Sequence, residues 1–183
     1  YLSFTSHSSV RAKEYTVLRI IEKEEWNMAF HESLQLSDLE PTYLRALGWY
    51  RKGLYTEDPF DKFLAFWNSI EITATKYHPD IEESKKGSKN QIWACFETLW
   101  GSCDHWPGGI RNDKKWVDHF YETRKKIAHG ISAINVREIE LVLEQLPKLE
   151  EVASNFLSDF KSKQLNLDDF SRYFESLERK HAT

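Results

Sequence analysis

The chain has 183 residues, 40% of them hydrophobic and 14% aromatic, with a formal net charge of −4. A chain of this length buries roughly two-thirds of its unfolded surface, so a single domain, or one with an appendage, folds without disulfide or metal staples. The acidic balance excludes a nucleic-acid partner held by overall charge, and any such binding needs a local basic patch.

The two cysteines, Cys95 and Cys103, make no disulfide framework, and a reducing cytoplasm is the expected location. No apolar run approaches the roughly 18 residues that span a membrane, so no membrane partner is expected. The opening YLSFTSHSSV lacks a Met and a leader's basic-then-apolar layout, and a further domain or partner upstream is the expectation. Residues 1–35 read as an irregular N-terminal segment, the tail of such a domain. Within it Glu14–Ile21, EYTVLRII, is β-branched and suits a strand.

From residue 36 to 183 the helical period dominates, and the expected fold is an all-α bundle of about five to six helices. A first helix covers Pro41–Tyr55, with Leu44, Leu47, Tyr50, Arg51 and Leu54 on one side. The second opens on Asp58 as N-cap and Pro59 at its first position, and runs to Tyr77. A third covers Asn90–Trp100 and is broken by the glycines and proline of GSCDHWPGG. The fourth is Asn112–His129, stopped by Gly130. The fifth follows Asn135, whose spacing to Glu138 suits a capping box, and carries Ile139, Leu143, Leu146, Ala153, Leu157 and Phe160. Pro147 is expected to kink or split it. An amphipathic segment, Leu167–Glu178, closes the chain.

Two charged residues fall on apolar stripes. At about 100° per residue from Phe60, Phe63, Leu64, Trp67, Ile70 and Ala74 lie between about −80° and +40°, and Glu71 lies at about +20°. From Trp116, Phe120, Tyr121, Ile127 and Ala128 lie between about +20° and +140°, and Arg124 lies at about +80°. A lone buried charge costs several kcal/mol, so these two are expected to meet, with Arg51 as a rival partner for Glu71. His129 is five residues beyond Arg124, about 140° around and ~7.5 Å along the axis. As the last residue before Gly130 its direction is less fixed, and a helix C-terminus favours its protonated form.

Arg111, Lys114, Lys115, Lys125 and Lys126 flank this stretch, Lys85, Lys86 and Lys89 add a basic loop, and together they are candidates for a phosphate-binding groove. Tyr121 is a candidate to stack on a base. Cys95, Cys103 and His105 match no compact zinc spacing, and no metal or cofactor is expected.

The ordered set ALGWYRKGL, FLAFWNSIE, RKKIAHG and a long leucine-rich helix resembles the HEPN superfamily, most closely its Apea-like branch, over about residues 38–160. The resemblance implies a small helical bundle that pairs through a two-fold interface, with RNA as the partner. It implies His129 and Arg124 as catalytic residues of a metal-independent endoribonuclease; Glu71, Arg51 and Tyr121, singled out above from their own positions, are the supporting candidates. In that chemistry the RNA's 2′-hydroxyl attacks the adjacent phosphorus and leaves a 2′,3′-cyclic phosphate. It equally allows a non-catalytic module for RNA binding or dimerisation in a larger defence or stress-related protein. Lys125, standing where active members often carry a polar acceptor, cannot accept a hydrogen bond to orient its neighbours.

Overall fold

The computed structural model describes residues 22–130, 136–165 and 167. Among them lie six α-helices and no strand: α1 Lys23–Leu39, α2 Pro41–Tyr55, α3 Pro59–Tyr77, α4 Ser88–Trp100, α5 Trp116–His129 and α6 Val136–Gln164. Three short 3-10 turns, Ser84–Lys86, Cys103–His105 and Gly108–Ile110, fill the links on either side of α4. The chain is an all-α bundle.

Where the segment to residue 35 reads as irregular, the structure has a helix from Lys23. Glu22 and Glu25 form a reciprocal capping box at its start. The helical pattern is masked because α1 buries only Gln35 and Leu36, while Trp26, Met28 and Phe30 are exposed. The expected Glu14–Ile21 strand, the Asn135 cap and the Leu167–Glu178 helix lie outside the described residues, apart from Leu167, which packs partly buried against the core.

Pro41 restarts the chain as α2, since the residue before a proline is pushed out of the helical region, and Glu40 has φ −134°. At the next junction the Asp58 carboxylate accepts from the backbone N–H of Phe60 (3.0 Å) and Asp61 (2.9 Å), with Pro59 at the first helical position. α3 is the central element, packing on α2, α4, α5 and α6. It buries Phe63, Ala65, Phe66, Trp67, Ser69, Ile70, Thr73 and Ala74.

α2 approaches α3 closely because Gly53 has no side chain: a Cβ there would lie 2.6 Å from the Phe66 ring. This orientation buries Tyr43, Ala46 and Gly53; of the expected stripe, Leu44, Leu47 and Tyr50 pack partly buried against the core, while Arg51 and Leu54 are exposed. The core is aromatic. Trp116 stacks on Phe120 (4.5 Å) and on Trp67 (6.2 Å), and Phe96 meets Trp106 edge-on at 5.3 Å. The Tyr43 hydroxyl donates to the Leu157 carbonyl (2.7 Å) and the Trp100 indole N–H to Asp159 (2.7 Å), fixing α2 and α4 to α6.

Two helices start elsewhere than expected. α4 begins at Ser88. α5 begins at Trp116 and not Asn112, because Asn112 is in the left-handed region (φ 62°) and the Asp113 carboxylate caps the Lys115 N–H at 3.2 Å. α6 stays one helix of 29 residues across Pro147, its register held by buried Leu146, Leu149, Val152 and Phe156. Val142 rather than Leu143 faces the core, and Leu143 is exposed.

Candidate functional site

The expected pairing of α3 and α5 is present. Arg124 Nη2 donates to Glu71 Oε2 at 3.2 Å. The two side chains are 27% and 15% exposed, so the pair sits at the edge of the core. The buried side of α3 is centred on Phe63, Phe66 and Ile70, which shifts Glu71 from the middle of the stripe to its border. The contact is a single hydrogen bond. Arg124 Nε is buried without a partner, and a guanidinium has five N–H donors in all. Glu71 anchors Arg124 by one terminal nitrogen, Nε is enclosed, and only the remaining N–H donors of the terminal nitrogens are left uncommitted.

Arg51 is not the partner of Glu71. It is exposed on α2, with its guanidinium carbon 6.0 Å from the Tyr55 ring centre. Tyr121 is half-buried, packed against Trp67 at 6.2 Å on one side and under the Lys125 ammonium (5.8 Å) on the other. It belongs to the border of the core.

α5 ends where Gly130 takes φ 58° and its N–H turns back to the Ile127 carbonyl at 3.3 Å. The helix stays regular through His129. The freedom expected for that residue is therefore absent, and the separation from Arg124 stands at about 140° and ~7.5 Å along the axis. His129 is exposed, whereas Arg124 is turned into the α3 border. Within one chain the two do not share a face.

The cations also divide. Lys125 is held by Glu122 (3.1 and 3.2 Å), Lys89 by Asp118 (2.7 Å) and Lys85 by Glu82 (2.7 Å). The Asp118 hydrogen bond holds the Lys89 ammonium above the usual lysine range. Arg111, Lys114 and Lys115 are exposed just before α5, roughly 20 Å from His129 along a helix of this length. Lys126 lines a cleft of about 380 Å³ floored by Phe60, Leu64 and Ile127, and its other polar walls include Asp58, Asp61 and Glu138. The basic residues do not form one groove, and acids of neighbouring turns and helices neutralise several of them.

These helices and the Glu71–Arg124 contact lie inside a region of known sequence kinship: the family described as methylamine utilization protein MauJ matches residues 46–156. The chain belongs to the MauJ family. The MauJ match takes in most of α2, all of α3 to α5 and α6 as far as Phe156, and so contains Glu71, Arg124 and His129. No curated protein and no solved structure matches the chain.

The cysteines are separate from this region. Cys95 is buried on α4, its thiol 3.8 Å from the Ala74 carbonyl, and burial pushes it up to about 12. Cys103 is buried in the 3-10 turn that follows α4 and is likewise raised. Among the described residues no group of three or more His, Cys, Asp or Glu is placed to hold a metal, and no helix is long and apolar enough to cross a membrane.

Proposed function

We propose that this MauJ-family chain is a HEPN-type, RNA-directed protein that works as a dimer, and that the end of α5 is its metal-independent ribonuclease site. The observation that carries the reading is the state of Arg124: one terminal nitrogen anchored by Glu71, Nε enclosed, and the remaining terminal N–H donors uncommitted, five residues before an exposed histidine at a helix end. A guanidinium fixed by one bond is oriented yet still able to bind a phosphorane. An exposed imidazole can take a proton from one oxygen and return it to another.

In the proposed reaction His129 removes the proton of an RNA 2′-hydroxyl, and that oxygen bonds to the adjacent phosphorus. The bond from phosphorus to the 5′-oxygen breaks, and the departing oxygen takes a proton. Arg124 neutralises the charge on the non-bridging oxygens. The products are a 2′,3′-cyclic phosphate and a 5′-hydroxyl. Because the two side chains diverge on one helix, the working pair is Arg124 of one copy with His129 of the other. The family's description, methylamine utilization, names a metabolic setting and no reaction, and an RNA-directed protein can act within such a setting.

A second reading, an RNA-binding or dimerisation module that does not cut, is favoured by the neutralised cations, above all Lys125 tied to Glu122. The two are separated by incubating mixed-sequence RNA with the chain in EDTA and analysing the ends. Cyclic-phosphate ends that vanish in His129→Ala support cutting. Intact RNA with a folded, dimeric protein sinks it.

A further inference from the structure

α2 carries cations and no acid of its own. Its 15 residues, PTYLRALGWYRKGLY, include Arg45, Arg51 and Lys52 and no Asp or Glu, in a chain whose net charge is −4. All three are exposed, and none is in an ion pair among the described residues. Measured from Pro41 at about 100° per residue, Arg45, Gly48, Trp49, Lys52 and Tyr55 fall between about −40° and +80°, with Arg51 at about −80°. The buried residues Tyr43, Ala46 and Gly53 lie on the other side.

Aromatic rings alternate with the cations on this outward face. The Lys52 ammonium is 5.1 Å from the Trp49 ring centre and the Arg51 guanidinium 6.0 Å from that of Tyr55, which is 78% exposed. The Arg45–Trp49, Trp49–Lys52 and Arg51–Tyr55 steps are each about one helical turn, ~5.4 Å.

Gly48 sits among them. Glycine is the poorest helix former after proline, and here the fold does not require it, because a Cβ would meet nothing within 4 Å. Gly53, five residues on, is by contrast demanded by the Phe66 ring. Gly48 leaves a flat floor between Arg45, Trp49 and Lys52 on which another molecule can lie close.

We infer that the outward face of α2 is a binding surface for single-stranded nucleic acid, with Arg45, Arg51 and Lys52 on phosphates and Trp49 and Tyr55 as stacking platforms. Alternating cations and rings match a strand in which phosphates and bases alternate. They suit a lipid surface poorly, because the cations share the aromatic face and are not segregated from it. α2 packs on α1, α3 and α6, whereas α5 packs on α3 and α4; the cleft at the end of α5 reaches Asp58 and Phe60, just beyond the last turn of α2. It stands on its own observations and does not rest on the ribonuclease reading.

The test is fluorescence anisotropy with labelled oligodeoxythymidylate. This probe has no 2′-hydroxyl and cannot be cut by the route above, so binding is read without cleavage. The native chain, the triple variant Arg45→Gln/Arg51→Gln/Lys52→Gln and Trp49→Leu are compared over a range of salt. The expected result is about a 10-fold or greater loss of affinity in the triple variant and in Trp49→Leu. The slope of log affinity on log salt falls by about 2 in the triple variant. Native-like binding by a triple variant whose circular dichroism is unchanged overturns the inference. So does a native chain that ignores the oligonucleotide and binds anionic phospholipid vesicles. A native chain that binds at α2 but cuts no RNA removes the ribonuclease reading alone, and one that cuts RNA unaffected by the α2 changes removes this surface alone.

Discussion

Glu71 on α3 and Arg124 on α5 are joined by one hydrogen bond, Nη2 to Oε2 at 3.2 Å, at the border of the aromatic core. The contact fixes the half of α5 that leads to His129. The single bond orients the guanidinium, Nε is enclosed, and the remaining N–H donors of the terminal nitrogens stay uncommitted.

Breaking that bond has a measurable cost. Glu71→Gln is expected to destabilise the fold by about 1–2 kcal/mol, below the ~3–5 kcal/mol of a fully buried pair, because the two side chains keep 15% and 27% exposure. A double-mutant cycle with Arg124→Gln checks this in urea melts. The two losses combine to less than their sum if the residues interact, and simple additivity contradicts the pairing.

The periodicity made this pair legible before any coordinates, because charged residues at apolar-period positions have to find partners. The starts of α2 and α3 and the end of α5 were equally plain from Pro41, Asp58–Pro59 and Gly130. The face of α2 was legible in part: Leu44, Leu47 and Tyr50 pack against the core as their spacing suggests, but Gly53 lets α3 approach from one side, and Arg51 and Leu54 are left outside. α1 was hidden because Trp26, Met28 and Phe30, its strongest apolar signals, are exposed. The loss of the expected basic groove depends on contacts between helices, such as Lys89 with Asp118, which no single-helix wheel displays. The missed signal was compositional: α2 carries three cations and no acid.

The two glycines of α2 should respond in opposite directions. Gly53→Ala drives a Cβ to 2.6 Å from the Phe66 ring, and a loss of about 1–3 kcal/mol is expected from overpacking. Gly48→Ala meets nothing within 4 Å and should stabilise the helix by up to ~1 kcal/mol. Thermal melts of the two variants decide it, and a destabilised Gly48→Ala would show that the fold needs that glycine.

Removing the cap of α3 should loosen the central helix. Asp58→Ala loses the bonds to the N–H groups of Phe60 and Asp61 and is expected to lower stability by about 1 kcal/mol. Asp58→Ser, which keeps an acceptor, should recover most of it. Equal losses in both variants would argue against the cap.

Alkali should weaken the fold before it reaches the ordinary tyrosine range. Burial raises the Cys95 thiol from 9.0 to about 12, and it also raises Tyr43. Below pH 9.0 folded and unfolded chains both keep the Cys95 proton. Above it the unfolded chain loses its proton first, so this contribution to stability drains away as pH rises toward about 12. Urea melts across that window should show a steady fall, reduced in Cys95→Ala relative to its own neutral-pH value. A flat profile would contradict the burial of these groups.

The most direct test of the central claim mixes two inactive variants, Arg124→Gln and His129→Ala, and assays RNA cleavage in EDTA. If the site joins Arg124 of one copy to His129 of the other, each variant alone is silent. The mixture regains part of the native rate, because a mixed dimer holds one intact pair, and its products carry 2′,3′-cyclic phosphate ends. If the native chain leaves RNA whole while folded and dimeric, or if the mixture stays as silent as its parts, the proposed composite site is wrong.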